Sequence, residues 1–298
     1  MTKEEAAKNR AFRRKCMFAG IFLAVCLLLV LLQKVKEEKE KKRLTFSLAG
    51  EEEASKEDVS RELLEEEKES VLEEPKVREV EKETLGIDVS RFQEEIDWAQ
   101  VAEAGIDFAM VRIGCRGLVS GAMVEDDRAA YNLREASENG IYVGAYFFST
   151  AVNEEEVREE AQWVCSFLED YVITYPVVYN CEGFQEETSR QYGMTSKERT
   201  ALAQIFLDEI EAAGYTGMFY GAKGELQDSL CWDTEALEAR YRIWVAQYLE
   251  ETYPERSGPE YEGACDMWQY TDQARVPGIR TVVDQNVAYF GFEEEAVP

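Results

Sequence analysis

The chain contains no histidine at all. That absence removes the Ser-His-Asp triad, the Cys-His pair and every His-ligated zinc site. Acid and base work must fall to Asp, Glu, Lys, Tyr or Cys. Positive charge is also scarce: 33 Lys and Arg stand against 61 Asp and Glu. The deficit is concentrated in residues 85–298, with 15 basic and 41 acidic side chains. A domain so acidic repels phosphate backbones, so nucleic acid is excluded as a partner. The seven cysteines show no C-x-x-C pair and no zinc spacing, so free, mostly buried thiols are expected rather than a disulfide framework or a metal centre. No metal site and no cofactor are expected.

Charge patterning divides the chain. Residues 1–16 form a basic tail, expected to be cytoplasmic. Residues 17–33 begin with MFAGIFLAVCLLLVLL, sixteen apolar residues without a charge. With its flanks this run is close to the length that spans a bilayer. No small-x-small cleavage site follows it, and Leu23-Ala24-Val25-Cys26 is a poor lipidation signal, so an uncleaved transmembrane signal anchor is expected. Basic residues flank both ends, and the positive-inside rule alone leaves the orientation open. Residues 34–84 are rich in charge and poor in apolar residues, the composition of a stalk or linker.

From Leu85 the composition becomes that of folded protein, and residues 85–298 form one domain. Strand-like segments fall at 85–90, 108–115, 141–149, 175–182, 217–221, 242–248, 266–271 and 283–289. Helical periodicity falls at 96–104, 124–139, 153–170 and 195–213. Thr195 or Ser196, with Glu198 close behind, reads as an N-cap signature, and Gly214 as a C-cap. Eight strands with few helices, crowded into the first half, predict an α/β fold: an irregular TIM-like β/α barrel with fewer than eight helices.

In such a barrel the C-terminal ends of the strands carry the chemistry. The segment Tyr175-Pro176-Val177-Val178-Tyr179-Asn180-Cys181-Glu182 reads as a buried strand ending in a carboxylate. Period-2 alternation puts Val178, Asn180 and Glu182 on one face. Other strand ends carry Asp88, Tyr146, Tyr220, Gln247, Tyr248, Gln269 and Tyr270, and the last strand begins with Asp284 and Asn286. A lone Asp at a strand end is most often a cap or turn residue. Three carboxylates converging with aromatics and amides suit a sugar instead, because rings stack on its apolar faces and amides bond its hydroxyls and acetamides.

The order of these motifs resembles the glycoside hydrolase family 25 lysozymes. Gly86-Ile87-Asp88-Val89-Ser90, Ile96-Asp97-Trp98 and Gly105-Ile106-Asp107-Phe108 are similar to the start of that family. Val143 to Ser149, Trp244-Val245-Ala246-Gln247-Tyr248, Trp268-Gln269-Tyr270-Thr271 and Val283-Asp284-Gln285-Asn286 follow in family order, over roughly residues 85–291. The resemblance implies an N-acetylmuramidase that cleaves the β-1,4 bond between N-acetylmuramic acid and N-acetylglucosamine in peptidoglycan. It implies Glu182 as general acid, with Asp88 and Asp284 as the first- and last-strand carboxylates. Glu182 is expected to act as acid and then as base, its proton affinity raised by neighbouring carboxylates and apolar walls. Substrate contacts are expected from Tyr146, Tyr220, Gln247, Tyr248, Trp268, Gln269 and Tyr270.

Two positions depart from the family pattern. Phe147 stands where a His is often found, and Asn180 stands where the family has the Asp of Asp-x-Glu. If that Asp were a nucleophile, Asn180 would abolish catalysis. If the substrate's own acetamide attacks, Asn180 need only orient it. The expectation is therefore an active peptidoglycan hydrolase whose partners are glycan strands and, through the N-terminal helix, the membrane. The competing expectations are a weak or inactive wall-binding protein and a barrel acting on another N-acetylated glycan. A single-pass membrane location with the catalytic domain facing the wall follows from the muramidase reading.

Overall fold

The computed structural model describes residues 77–294. The anchor expected over 17–33, the basic tail and most of the stalk lie outside the described residues. No helix among the described residues is long and apolar enough to cross a membrane.

Eleven strands follow one another: β1 (Val77–Val80), β2 (Thr84–Val89), β3 (Phe108–Arg116), β4 (Met123–Glu125), β5 (Tyr142–Phe148), β6 (Val177–Asn180), β7 (Gly217–Ala222), β8 (Arg242–Ala246), β9 (Met267–Ala274), β10 (Val283–Ala288) and β11 (Gly291–Glu294). Eight of them close a barrel in the order β2-β3-β5-β6-β7-β8-β9-β10, and β10 returns to β2. Strands β2, β3, β5, β6, β7, β8 and β9 run parallel around the wall. Strand β10 is antiparallel to both neighbours, so the barrel is not wholly parallel. Its N-terminal end, with Asp284, therefore sits at the same barrel face as the C-terminal ends of the others.

Six α-helices are present among the described residues: α1 (Trp98–Glu103), α2 (Ala129–Glu138), α3 (Glu154–Leu168), α4 (Ser196–Ala212), α5 (Lys223–Gln227) and α6 (Thr234–Glu238). They cluster beside the first half of the barrel because β8, β9 and β10 connect without long helices. Of the two N-cap candidates Thr195 caps α4 and forms a capping box, with Glu198 returning to the Thr195 backbone. Gly214 adopts φ 94° where the chain leaves α4, a conformation that disfavours any side chain.

Two segments differ from expectation. The helix expected over 124–139 begins only at Ala129, because Met123–Glu125 pairs as β4 against β3. The stalk expected to run to residue 84 ends earlier. Val77–Val80 pairs antiparallel with β11, although VREV, with its two apolar residues three apart, lacks the period-2 alternation of a half-buried strand.

The core has two layers. Inside the barrel lie Phe108, Met110, Tyr175, Val178, Met218 and Trp244 with smaller neighbours. Phe108 and Tyr175 stack with centroids 4.3 Å apart, and Phe290 and Phe292 pack on Tyr175 to plug the end opposite the site. The space is tight: a Cβ at Gly86 would stand 2.3 Å from the Phe108 ring. The outer layer fills the gap between barrel and helices, from Val111 and Val143 to Phe206 and Leu207. Cys115, Cys165, Cys181, Cys231 and Cys265 are all free thiols.

Candidate active site

Register explains the centre of the site. Asp88 on β2 stands directly opposite Asp284 on β10, a like-charge cross-strand pair that destabilises two ionised carboxylates. Asp88 is 7% exposed. Burial first, and Asp284 second, push its pKa up to about 8. Burial and Asp272 push Asp284 up to about 6.

A ring of donors converges on Asp88. Gln269 Nε2 and Asn286 Nδ2 both donate to its Oδ2, at 2.8 and 2.9 Å. The amide orientations are set from behind. Trp244 Nε1, which can only donate, gives its hydrogen to Asn286 Oδ1 at 2.9 Å and so turns Nδ2 towards Asp88. Tyr220 and Tyr248 hydroxyls donate to Gln269 Oε1 at 3.0 and 2.7 Å, with the same consequence. Burial pushes both hydroxyls up, helped for Tyr220 by Glu182 and for Tyr248 by Asp284, so both remain neutral donors.

Above this network lies a pocket of about 270 Å³. Its carboxylates are Asp88, Glu182, Asp272 and Asp284, and no Lys or Arg lines it. Its aromatic side is Tyr146, Tyr220, Trp244 and Tyr248. Trp244 meets Tyr220 edge-on at 4.9 Å and Tyr146 at 6.4 Å. The combination can hold a sugar ring against aromatic faces and surround its anomeric carbon with negative charge.

Asn180 and Glu182 sit at the tip of β6, as alternation predicted. Asn180 Nδ2 donates to Glu182 Oε1 at 2.9 Å. Glu182 is exposed to solvent at the pocket, so the desolvated carboxyl of the site is Asp88 rather than the expected Glu182. The tip is braced at several points. Ser149 N donates to Asn180 O, and the Cys181 thiol donates to Gln191 Oε1. Gln191, fully buried, donates in turn to Ala151 O at 2.9 Å.

Of the expected site residues, the pocket brings together Asp88, Tyr146, Asn180, Glu182, Tyr220, Tyr248, Gln269 and Asp284. Three lie elsewhere. Gln247 turns away to bond Glu260. Trp268 and Tyr270, one residue either side of Gln269, point to the other face of β9 and pack with Val287, as alternation requires. Trp268 there donates to Gln247 O at 2.8 Å. Sequence reasoning missed Asp272 because β9 continues past 271 and is bulged against β10. A bulge re-aims the side chains beyond it. Gln191 carries no sequence signal, since its role depends on a loop returning over β6.

Comparison with known proteins finds relatives in sequence and in fold. Residues 87–279 match the family model for Glycosyl hydrolases family 25. YegX of Escherichia coli O157:H7 is 27% identical over 70% of this chain and 71% of its own. Lysozyme M1 of Streptomyces globisporus is 26% identical over 67% of this chain and 66% of its own. The modular autolysin LytC of Streptococcus pneumoniae, solved in complex with a synthetic peptidoglycan ligand, superposes with TM-score 0.54 and 25% identity over 70% of this chain. The chain spans 47% of that autolysin's length.

Proposed function

The chain belongs to Glycosyl hydrolases family 25, as a glycoside hydrolase of the lysozyme type, and from that premise we propose that it cleaves peptidoglycan at the β-1,4 bond between N-acetylmuramic acid and N-acetylglucosamine. The observation that carries the mechanism is the 2.9 Å contact from Asn180 Nδ2 to Glu182 Oε1. It fixes the Asn180 amide with its donor towards the acid and leaves Oδ1 to accept the N–H of the substrate's 2-acetamide.

Glu182, protonated, gives its proton to the glycosidic oxygen as the C1–O bond breaks. The acetamide carbonyl oxygen, turned towards C1 by Asn180, forms the new bond and yields a cyclic oxazolinium. The N-acetylglucosamine side departs with a free 4-hydroxyl. Water then loses a proton to Glu182 and adds at C1, which reopens the ring and restores the acid. Asn180 carries no charge to balance the cation. Asp284, raised only to about 6, supplies it through the pocket at neutral pH, and Asp88, raised to about 8, adds charge only as the pH approaches that value. Tyr146 and Tyr248 bound the ring, and the Gln269–Asn286–Trp244 network holds Asp88 in place.

A second reading rests on the same residue. Asn180 stands where the family has Asp, and a chain with too little charge near C1 binds glycan without turnover. Digestion of purified peptidoglycan by the wild-type chain, Glu182→Gln and Asn180→Asp separates the two. The muramidase reading expects fragments ending in reducing N-acetylmuramic acid from wild type and none from Glu182→Gln. A silent wild type with an active Asn180→Asp variant supports the binding reading instead.

Residues 17–33 anchor the chain in this proposal, and the catalytic domain faces the wall. Protease treatment of intact protoplasts checks that topology: the domain should be cut away, and full protection contradicts it.

A further inference from the structure

One surface on the barrel face that carries the pocket breaks the acidic pattern of the domain. The turn leaving β2 presents Phe92, which is 63% exposed. Its ring lies 5.4 Å from the Arg91 guanidinium and 4.9 Å from that of Arg112. The turn is built to hold this position. Ser90 and the buried Gln93 form a capping box, the Arg91 amide donates to Asp126, and Glu94 follows at φ 58°. Glu94 is the single non-glycine residue with positive φ among those described. Strain of this kind persists where the surroundings impose it.

Beside Phe92 is a hollow of about 510 Å³ that Arg91, Arg128 and Arg280 line together with Glu94, Glu95 and Asp127. Most arginines of this domain are paired with a carboxylate, Arg112 with Asp126 at 2.7 Å among them. Arg91, Arg128 and Arg280 form no ion pair among the described residues. Three cations without an ion pair stand in one hollow beside three carboxylates, a locally balanced patch on a strongly acidic protein that can meet groups of both signs on one ligand.

The hollow is tied to the catalytic pocket by the chain. Arg91 lies three residues beyond Asp88, and Arg280 four residues before Asp284, so each is within roughly 14 Å of a pocket carboxylate along the backbone. Arg112, under Phe92, pairs in register with Tyr146 of the pocket.

We propose that the Phe92 turn and this arginine-lined hollow form a second subsite, which takes the carboxylate-bearing peptide arm of the glycan strand whose sugar occupies the pocket. The inference rests on the peptidoglycan reading above. A peptide arm bears carboxylates at intervals of a few ångströms and, in many strands, an amine. The arginines match the former and Glu94, Glu95 and Asp127 the latter. An apolar side chain of the arm covers Phe92.

The test uses the full chain and two variants outside the catalytic machinery, Phe92→Ala and Arg280→Ala. Each is assayed on glycan strands with intact peptide arms and on strands stripped of them by an amidase, both freed of anionic wall polymer. The expected result is a KM about 3- to 10-fold higher for the variants on intact strands, lost at high salt, with kcat and all constants on stripped strands unchanged. Equal effects on both substrates, or none on either, overturn the subsite. In parallel, a soluble peptide arm and a glycerol-phosphate polymer are each titrated into the Glu182→Gln chain. Peptide binding that Arg280→Ala weakens supports the subsite even if no strand is cleaved, an outcome that would count only against the activity. Binding of the polymer alone, or of neither, overturns it.

Discussion

Replacing Asp88 by asparagine should make the protein more stable at neutral pH while impairing catalysis. An ordinary Asp has a pKa of 3.8, and folding raises that of Asp88 to about 8 through burial and the facing Asp284. The sign follows from linkage: the folded state holds a proton that the unfolded state releases above 3.8. Stability is therefore greatest below that value and is lost as pH rises towards about 8. At pH 7 the difference is about 3.2 units above the ordinary value, or about 4 kcal/mol at 1.36 kcal/mol per unit. That size is set by the assay pH rather than by the upper pKa, which lies above it. An asparagine side chain reproduces the protonated acid, with an oxygen to accept from Gln269 and Asn286 and an NH2 in place of the hydroxyl. Urea unfolding can be followed by tryptophan fluorescence, since all five tryptophans fall within the described domain. The Asp88→Asn variant should gain about 4 kcal/mol over wild type between pH 4 and pH 7. At the slope of a domain this size that is a midpoint shift of roughly 1 M. A gap that stays constant with pH, or a variant less stable than wild type at pH 7, refutes the argument.

Asn180→Asp puts a carboxylate beside the position of the oxazolinium cation, where Asn180 has no charge to balance it, so kcat on purified peptidoglycan should rise; an unchanged or lower kcat removes that charge deficit from the mechanism. Gly86→Ala should cost about 3 kcal/mol or prevent folding, because its Cβ would meet the Phe108 ring at 2.3 Å; thermal unfolding checks this, and a neutral result would mean the barrel interior yields more readily than its packing implies. Glu160, fully buried, pairs with Arg116 at 2.7 Å. Glu160→Ala leaves a buried guanidinium short of a partner and should cost about 3 kcal/mol by the same measurement.

The barrel strands up to β8 were legible in the sequence as short, largely apolar runs, and β9 and β10, which carry more polar residues, as segments of the family's motifs. The site was legible where alternation governs it: Asn180 and Glu182 share a face at the tip of β6 because two residues separate them. The same rule, applied strictly, would have excluded Trp268 and Tyr270, which flank the inward Gln269 on β9. Asp272 was hidden because a bulge breaks the parity that sequence reading assumes. β1 and β11 were hidden for a different reason. Four-residue strands such as VREV and GFEE, whose partners lie more than two hundred residues apart, do not alternate apolar with polar residues and carry no local signal. The burial that lifts Asp88 is equally non-local, since it needs β2, β9 and β10 side by side.

The most direct test of the account is mass spectrometry of the fragments that the full chain releases from purified peptidoglycan, with Glu182→Gln run alongside. The account predicts fragments with reducing-end N-acetylmuramic acid from wild type and a loss of at least about 1000-fold in rate for the variant. Fragments ending in reducing N-acetylglucosamine, or near wild-type release by Glu182→Gln, would contradict it.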